Sequence, residues 1–280
     1  NKIKKNINYR YLGEDIKVKD KVFFAGHKLR PQDIGVLYSL GIKMIKVCSQ
    51  LKVGVFSCGD ELSNIDRPLK KGSIYDSNRI MLINFLIKLN YKVEDLGILK
   101  DNKDYIDKKL HKASNNNDFI ITSGGMSLGD EDHIKPLIEK KGVMHVWRLA
   151  MKPGRPVGFG IFNKTPILGL PGNPAAAFVT FLMLGIPILK QMSGQKLLKN
   201  NYIPMKVNFE HKKKTGRKEF LRVKVSYKDN NLILNKFHKE GAGILSSASW
   251  ASGLGIIDDN LTEVKKQDTI NYISLNELLS

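Results

Sequence analysis

A short apolar strand, a glycine-rich turn and a helix follow one another in mid-chain, and this order restricts the fold more than any other feature. The segment Asp118 to Ile121 is too short and too apolar for an exposed helix, so it predicts a buried strand. Gly124 and Gly125 follow, and helical spacing begins at His133 with Asp132 placed to cap the helix. Open α/β sheets bind their ligands at such turns, beyond the carboxyl end of a strand.

Two interpretations of this turn remain open. Adjacent glycines let backbone N–H groups converge, and a helix N-terminus adds positive potential, which suits a phosphate. The carboxylates of Asp130, Glu131 and Asp132 would repel a bare phosphate, so they indicate a bridging divalent cation or a reacting centre. In the simpler interpretation the glycines only make a tight turn and Asp132 only caps a helix.

Strands and helices alternate from Leu51 to Gly194, which predicts a mostly parallel sheet covered by helices, with right-handed crossovers. One helix is predicted after Asp76 or Ser77, and the last two strands form a hairpin around residues 163–164. The predicted strands are 52–56, 91–96, 118–122, 143–147, 156–162 and 165–170.

The two ends of the chain have other patterns. We interpret residues 1–50 as a remnant of N-terminal domains and a linker, with short strands at 9–24 and 42–47 and a helix from Pro31. Because this segment opens without a turn or cap, we expect the chain to begin inside a larger protein. Residues 195–280 predict a small all-β domain with no helix before its last residues, which leaves 51–194 as the α/β domain.

The net charge of +19 would by itself fit a nucleic acid or an anionic membrane. Of the 46 basic residues, however, 38 are lysines, and they are scattered along the chain. The densest run, 212–214, predicts a solvated turn. Without aromatic interleaving or a recognisable nucleic-acid module, we predict no nucleic-acid partner.

Composition and cysteine usage indicate a soluble cytoplasmic protein. An apolar content of 42% with 26% charged residues is typical of globular chains. The longest apolar tract, Ala175 to Leu189, is interrupted by polar, glycine and proline residues, so the sequence predicts no membrane span. Cys48 and Cys58 do not make a disulfide framework, which fits a reducing compartment.

Four segments are predicted to meet at the carboxyl edge of the sheet, because turns after parallel strands lie together there. They are 59–60, 124–132, 148–155 and 171–174. The third contains Arg148, Lys152 and Arg155 among prolines that stiffen it, so it is either a rigid oxyanion site or a solvated loop of a lysine-rich chain. The fourth is either a plain helix start with Pro174 in first position or a turn that lines a ligand.

Four motifs in this order resemble the molybdopterin molybdenumtransferase family, known as MoeA in bacteria and as the E domain of gephyrin in animals. The stretches 240–247 and 252–254 extend the resemblance over nearly the whole chain. The motifs are Ser-Cys-Gly-Asp-Glu-Leu at 57–62, Ser-Gly-Gly-Met-Ser-Leu-Gly-Asp-Glu-Asp at 123–132, Ala-Met-Lys-Pro-Gly-Arg-Pro at 150–156 and Leu-Pro-Gly-Asn-Pro at 170–174.

The resemblance implies a molybdopterin-binding α/β domain followed by a small β-barrel domain. It also implies a reaction in which molybdate and adenylylated molybdopterin give molybdenum cofactor with release of AMP. Asp60 and Asp132 would then be catalytic and hold Mg²⁺, with Lys152 and Arg148 as catalytic cations; many family members have lysine in place of Arg148. The implied pterin and phosphate ligands are Gly124, Gly125, Met126, Ser127, Pro171, Gly172, Asn173, Pro174 and Ser247.

The implied partners are a second copy of the chain in a homodimer and, further, a molybdopterin adenylyltransferase or apo-molybdoenzymes. The family's N-terminal Ser-Met-Asp-Gly-Tyr-Ala segment, with an acidic site residue, does not occur in these 280 residues. We therefore expect this chain to bind adenylylated molybdopterin without completing insertion. Two alternatives remain: a molybdopterin adenylyltransferase, against which the β domain and residues 1–50 argue, and a gephyrin-like scaffold, for which the sequence identifies no peptide groove.

Overall fold

The computed structural model describes residues 9–125, 133–196, 200–228 and 230–279, with the main chain alone at 146–147. A π-helical turn, Phe181–Gly185, lies between α5 and α6. The α-helices in the described residues are α1 (Pro31–Ser39), α2 (Ser77–Lys88), α3 (Lys103–Asn116), α4 (Ile134–Lys141), α5 (Pro174–Thr180), α6 (Ile186–Met192), α7 (Ser246–Trp250) and α8 (Leu275–Leu278). The strands there are β1 (Lys52–Cys58), β2 (Leu62–Ser63), β3 (Ile74–Tyr75), β4 (Lys92–Leu99), β5 (Phe119–Ser123), β6 (Gly142–Arg148), β7 (Met151–Lys152), β8 (Pro156–Phe162), β9 (Thr165–Leu170), β10 (Ile203–Lys206), β11 (His211–Lys212), β12 (Lys218–Lys228), β13 (Asn231–Lys236), β14 (Gly253–Ile257), β15 (Glu263–Val264) and β16 (Thr269–Ser274).

The first sheet has the strand order β4-β1-β5-β9-β8-β6, and its first four strands are parallel. Successive residues of β5 point to opposite faces, and both faces are covered by helices. Ile121 packs in the cluster that contains Leu82 of α2, whereas Ile120 packs in the cluster that contains Ile106 of α3. Because helices cover both faces of the sheet and exclude water, its strands are continuous runs of apolar residues. The predicted α/β fold is confirmed.

The hairpin of β8 and β9 reverses the chain direction at the edge of this sheet. Asn163 and Lys164 have positive φ angles of 47° and 69°, as a tight two-residue hairpin turn requires. Since β6 is antiparallel to β8, it runs parallel to β9. Arg148, the last residue of β6, therefore lies at the same edge as the carboxyl ends of the parallel strands.

The helical segment from Pro174 to Met192 differs from its sequence interpretation. Thr180, Gly185 and Pro187 do not interrupt it, because the π-helical turn carries the chain on to α6. By length and composition alone this segment could cross a membrane, but most of it is buried inside the protein. Its side chains belong to the cluster on one face of the first sheet, so it is a core helix here.

The second sheet has the strand order β10-β16-β14-β12-β13 and is antiparallel. Its first and last strands approach each other, because Val207 forms a bridge with Leu234 and the N–H of Asn208 donates to the Leu234 carbonyl at 2.8 Å. The sheet thus curls toward a barrel. The short helix α7 was not predicted, and neither was the central strand β14.

The predicted strands near the N-terminus are wrong. Between residues 9 and 50 the described chain contains the helix α1 and turns, with no strand. This segment contacts the end of the α6 region, where the Lys196 N–H donates to the Gly26 carbonyl at 3.2 Å.

Candidate functional site

The glycine turn after β5 brings three strand ends together. Gly124 has a φ of 81°, and its N–H donates to the Leu170 carbonyl of β9 at 3.1 Å. A Cβ atom on Gly124 would lie 2.4 Å from the carbonyl oxygen of Cys58 at the end of β1. Only glycine fits this position, because the backbones of β1, β5 and β9 leave no room for a side chain.

A ligand role for this turn stays a prediction. Met126, Ser127 and Asp132 lie outside the described residues, and so does the predicted cap of α4 by Asp132. Gly125, which has a φ of 67°, is the last described residue of the turn.

Asn78 joins this turn to the next one, and the sequence analysis missed it. Its side-chain nitrogen donates to Ser123 Oγ at 2.8 Å and to the Gly172 carbonyl at 2.7 Å. Asn78 is buried, and its Oδ1 has no hydrogen-bond partner among the described residues. In the sequence, the one sign of this role is that a polar residue falls on the buried side of α2. That sign does not reveal which segments the Asn78 side chain joins.

Two carboxylates lie together after β1 and β4. Asp60 is exposed, and its Oδ1 accepts the N–H of Asp101 at 3.2 Å. The Asp101 carboxylate in turn accepts the thiol hydrogen of Cys58 across 3.0 Å. Asp101 was not predicted, although its place directly after a strand is the same signal that identified Asp60.

The oxygen atoms of these two carboxylates are suitable ligands for Mg²⁺, but two side chains alone are fewer than the group of three that would indicate a metal site. Hard oxygen donors suit Mg²⁺, and this ion keeps several waters and needs few protein ligands. Among the described residues, however, no group of three His, Cys, Asp or Glu side chains is placed to hold a metal. The second predicted ligand, Asp132, is outside that part of the chain.

The helix that follows the turn after β9 is bound to the loop between β13 and α7. The N–H groups of Ala175 and Ala176, at the start of α5, both donate to the Ala242 carbonyl, at 2.8 and 3.3 Å. These donors of the helix N-terminus are thus satisfied by the protein itself. Gly172 and Asn173 remain exposed at the edge.

The segment from Arg148 to Arg155 is held at several places. Strand β7 pairs with β12 in parallel, with Lys152 beside Glu219, and Lys152 Nζ lies 3.0 Å from Glu219 Oε1. The Leu149 N–H donates to the Arg155 carbonyl at 3.1 Å, which closes the segment into a loop. Arg148 and Arg155 are exposed on it, at the edge that carries the glycine turn.

Arg222 is a further cation that the sequence analysis missed. Its guanidinium donates to Ser247 Oγ at 3.0 Å and to the Gly241 carbonyl at 3.1 Å. Burial lowers the pKa of Arg222 from its ordinary value. Ser247 is wholly buried and also donates to the Ile244 carbonyl, so it stabilises the 241–247 loop, and ligand binding by Ser247 stays a prediction.

Comparisons with known proteins match the residues of each sheet to a protein family. Residues 54–191, which contain the first sheet, match the family described as a probable molybdopterin binding domain. Residues 204–275, in the second sheet, match the MoeA C-terminal region (domain IV). The chain therefore combines a probable molybdopterin binding domain with a MoeA C-terminal region.

Individual relatives are similar to this chain over most of its length. The molybdopterin molybdenumtransferase of Haemophilus influenzae is 36% identical and covers 99% of this chain, which spans 69% of that relative. A putative molybdopterin biosynthesis protein of Methanocaldococcus jannaschii is 31% identical over 96% of this chain and 66% of its own length. The MoeA structure from Pyrococcus horikoshii has a TM-score of 0.71 and 27% identity, over 93% of this chain and 62% of that one.

The chain belongs to the molybdopterin molybdenumtransferase family, also called MoeA. It spans about two thirds of the length of these relatives, between 62% and 69%. The family predicted from the four motifs is confirmed, and so is the order of an α/β part and a C-terminal β part.

Proposed function

We propose that this chain carries the site at which molybdate is inserted into adenylylated molybdopterin, with release of AMP. The observation that carries the proposal is the common edge shared by the glycine turn, the Asp60–Asp101 pair and the fixed loop of cations. Such an edge can bind a phosphorylated ligand and an oxyanion side by side.

The binding roles follow from position. The turn at 124–127 would bind phosphate or pterin through backbone donors, and the turn at 171–174 would line the same ligand. Lys152 and Arg148 would attract the molybdate dianion and stabilise the negative charge that develops as the adenylate leaves. Arg222 and Ser247 would keep the 241–247 loop against the start of α5.

The carboxylates would organise the phosphoanhydride. Asp60 and Asp132 would hold Mg²⁺, which when bound supplies positive charge beside the phosphates. Asp101 would orient Asp60, since its N–H donates to the Asp60 carboxylate. Asp60 would also help to place the water that attacks the anhydride.

We also propose the domain division, the cellular compartment and the partners that the motifs implied. The chain would divide into residues 1–50, an α/β domain at 51–194 and a β-barrel domain at 195–280. It would act in the cytoplasm as a homodimer and pass its product to apo-molybdoenzymes, after a molybdopterin adenylyltransferase has supplied its substrate.

The test follows nucleotide products. The chain is mixed with adenylylated molybdopterin, binding is measured by calorimetry, and AMP is measured with and without molybdate. We expect binding of the nucleotide-pterin, and AMP release that depends on molybdate once the protein has its full N-terminal region. Pyrophosphate release from molybdopterin and ATP would instead indicate an adenylyltransferase, and absence of binding would contradict the proposal.

A further inference from the structure

A buried carboxylate–imidazole pair lies directly behind the Lys152 side chain, and none of the proposed roles uses it. Glu219 Oε1 lies 3.0 Å from Lys152 Nζ, and Glu219 Oε2 lies 2.8 Å from His211 Nε2. The side chains of Glu219 and His211 are each 4% exposed, whereas that of Lys152 is 48% exposed. A line of hydrogen bonds thus runs from the interior of the second sheet to a cation at the candidate site.

The donors in this line are determined by chemistry. An ionised carboxylate only accepts hydrogen bonds, so Lys152 donates to one oxygen of Glu219. His211 must therefore carry its proton on Nε2 and donate to the other oxygen. With both oxygens used, the carboxylate has one orientation, and it directs the ammonium group of Lys152.

The main chain supports the same alignment. In the parallel pair of β7 and β12, Lys152 is the register partner of Glu219. Lys152 lies on the loop that leaves the first sheet, and Glu219 lies on the second sheet. The ion pair therefore sets the position of a first-sheet cation from a second-sheet strand.

The other nitrogen of His211 faces a second ion pair. His211 Nδ1 lies 3.6 Å from Glu240 Oε1 and 3.5 Å from Lys236 Nζ, and these two groups are themselves 2.6 Å apart. His211 is thus enclosed by charged groups on both sides, which keeps its ring in one orientation.

We propose that Glu219 is a positioning residue for Lys152 and that His211 acts through Glu219. This proposal rests on the proposed function, in which Lys152 binds the oxyanion and stabilises the leaving charge. One N–H of the ammonium group is bound by Glu219, so the tetrahedral geometry of the nitrogen sets the directions of the remaining two. A positioned cation stabilises a transition state better than a mobile one, because its orientation is fixed before the reaction.

A double-mutant cycle separates positioning from simple stabilisation. The variants are Glu219→Gln, which keeps the size and removes the charge, Lys152→Ala, and the two combined, each assayed with the family's N-terminal segment supplied so that AMP release can be measured. We expect Glu219→Gln to lower kcat about tenfold, with the KM for molybdate changed by less than about threefold. In the Lys152→Ala background the same substitution should have no further effect, because its target is absent.

The histidine is tested by paired variants. His211→Gln retains an N–H donor for Glu219 and should keep most of the turnover, whereas His211→Phe removes the donor and should resemble Glu219→Gln. The matched control is Asp258→Asn, which breaks the half-exposed ion pair between Asp258, directly after β14, and Lys218, the neighbour of Glu219 on β12, and should leave turnover unchanged. Reductions that multiply in the combined Glu219–Lys152 variant would overturn the proposal.

A readout that does not depend on turnover keeps the two proposals distinguishable. The ¹⁵Nζ signal of Lys152, detected through its carbon-bound protons, should be shifted from that of a solvated lysine by the hydrogen bond to Glu219, and this shift should shrink in His211→Phe and in Glu219→Gln. If this signal behaves as expected while no molybdate-dependent AMP appears even after the family's N-terminal segment is supplied, the proposed function fails and the positioning stands. An unchanged signal in both variants would overturn the positioning itself.

Discussion

The side-chain nitrogen of Asn78 lies 2.8 Å from the hydroxyl oxygen of Ser123, and this contact determines the spacing of two candidate ligand turns. The same nitrogen donates to the carbonyl group of Gly172, so one side chain of α2 joins the end of β5 to the turn after β9. The relative position of these turns is thus set by a helix outside both of them.

Replacing Asn78 by Asp should loosen this connection. A carboxylate cannot donate to the Gly172 carbonyl, and burying its charge without a partner is unfavourable. We expect the free energy of unfolding to fall by about 3 kcal/mol, measured by urea denaturation, and nucleotide-pterin binding to weaken. The control is Asn84→Asp on the exposed side of the same helix, with a loss below about 0.5 kcal/mol. Equal losses in the two variants would contradict the role of Asn78.

The glycine turn gives a prediction with a closely matched control. Gly124 and Gly72 have nearly the same φ, 81° and 82°, but a Cβ on Gly124 would meet the Cys58 carbonyl, whereas Gly72 has nothing within 4 Å. Gly72→Ala should therefore cost about 1 kcal/mol, from backbone conformation alone. Gly124→Ala should cost about 3 kcal/mol and displace the turn. Thermal unfolding measures both, and equal values would show that the close approach is unimportant.

Lys213 lies in the lysine run that the sequence predicted as a solvated turn, and for this residue the prediction is wrong: it should be a structural residue of the C-terminal β part. Its side chain is buried, and its ammonium group donates to the carbonyl groups of Asp258 and Leu261, each at 2.9 Å. Lys213→Met retains the apolar stem and leaves these carbonyls unpaired, so we expect a loss of about 2 kcal/mol in urea denaturation. Lys214→Met, at an exposed neighbouring position, should be neutral within about 0.5 kcal/mol. A neutral Lys213→Met would contradict this role.

Acid should weaken the contact between Lys236 and Glu240. The hydrogen bond from Lys236 lowers the pKa of Glu240 below its ordinary value of 4.5. Because the folded pKa is the lower one, the stabilisation is fully present above about pH 4.5 and is lost as the pH falls through the folded value. The difference in Tm between wild type and Glu240→Gln should shrink over this range, and Lys236→Met should remove the same pH-dependent part. A constant difference would contradict the prediction.

Lys152 should act on both the oxyanion and the departing charge. Lys152→Ala should raise the KM for molybdate at least about tenfold, and high molybdate should restore part of the turnover. Lys152→Ala should also lower kcat at saturating molybdate, by at least the roughly tenfold expected of Glu219→Gln, because Lys152 stabilises the departing charge as well. The exposed Lys266→Ala serves as control for the loss of one positive charge. If neither parameter changes in Lys152→Ala, the site lies elsewhere.

The sequence alone determined the elements that depend on neighbouring residues or on a repeated pattern of apolar residues. The strands of the first sheet could be predicted because helices cover both faces, and residues such as Ile120 and Ile121 must then all be apolar. The hairpin at Asn163 and Lys164 was predictable for a related reason, since its turn depends on two adjacent residues. The four motifs determined the family, because each is a short segment whose residues act together.

The tertiary structure alone decided which distant groups meet. Asn78, Arg222 and Glu219 have partners that lie far along the chain, and no spacing in the sequence reveals such pairs. Strand β14 begins at a glycine and was missed, because its place between β12 and β16 comes from pairing and not from strand propensity. Conversely, the strands predicted at 9–24 and 42–47 do not form in the described chain, since a strand needs a partner edge as well as a suitable composition. Local preference therefore selected most elements, and long-range hydrogen bonds and packing decided how the candidate site is assembled.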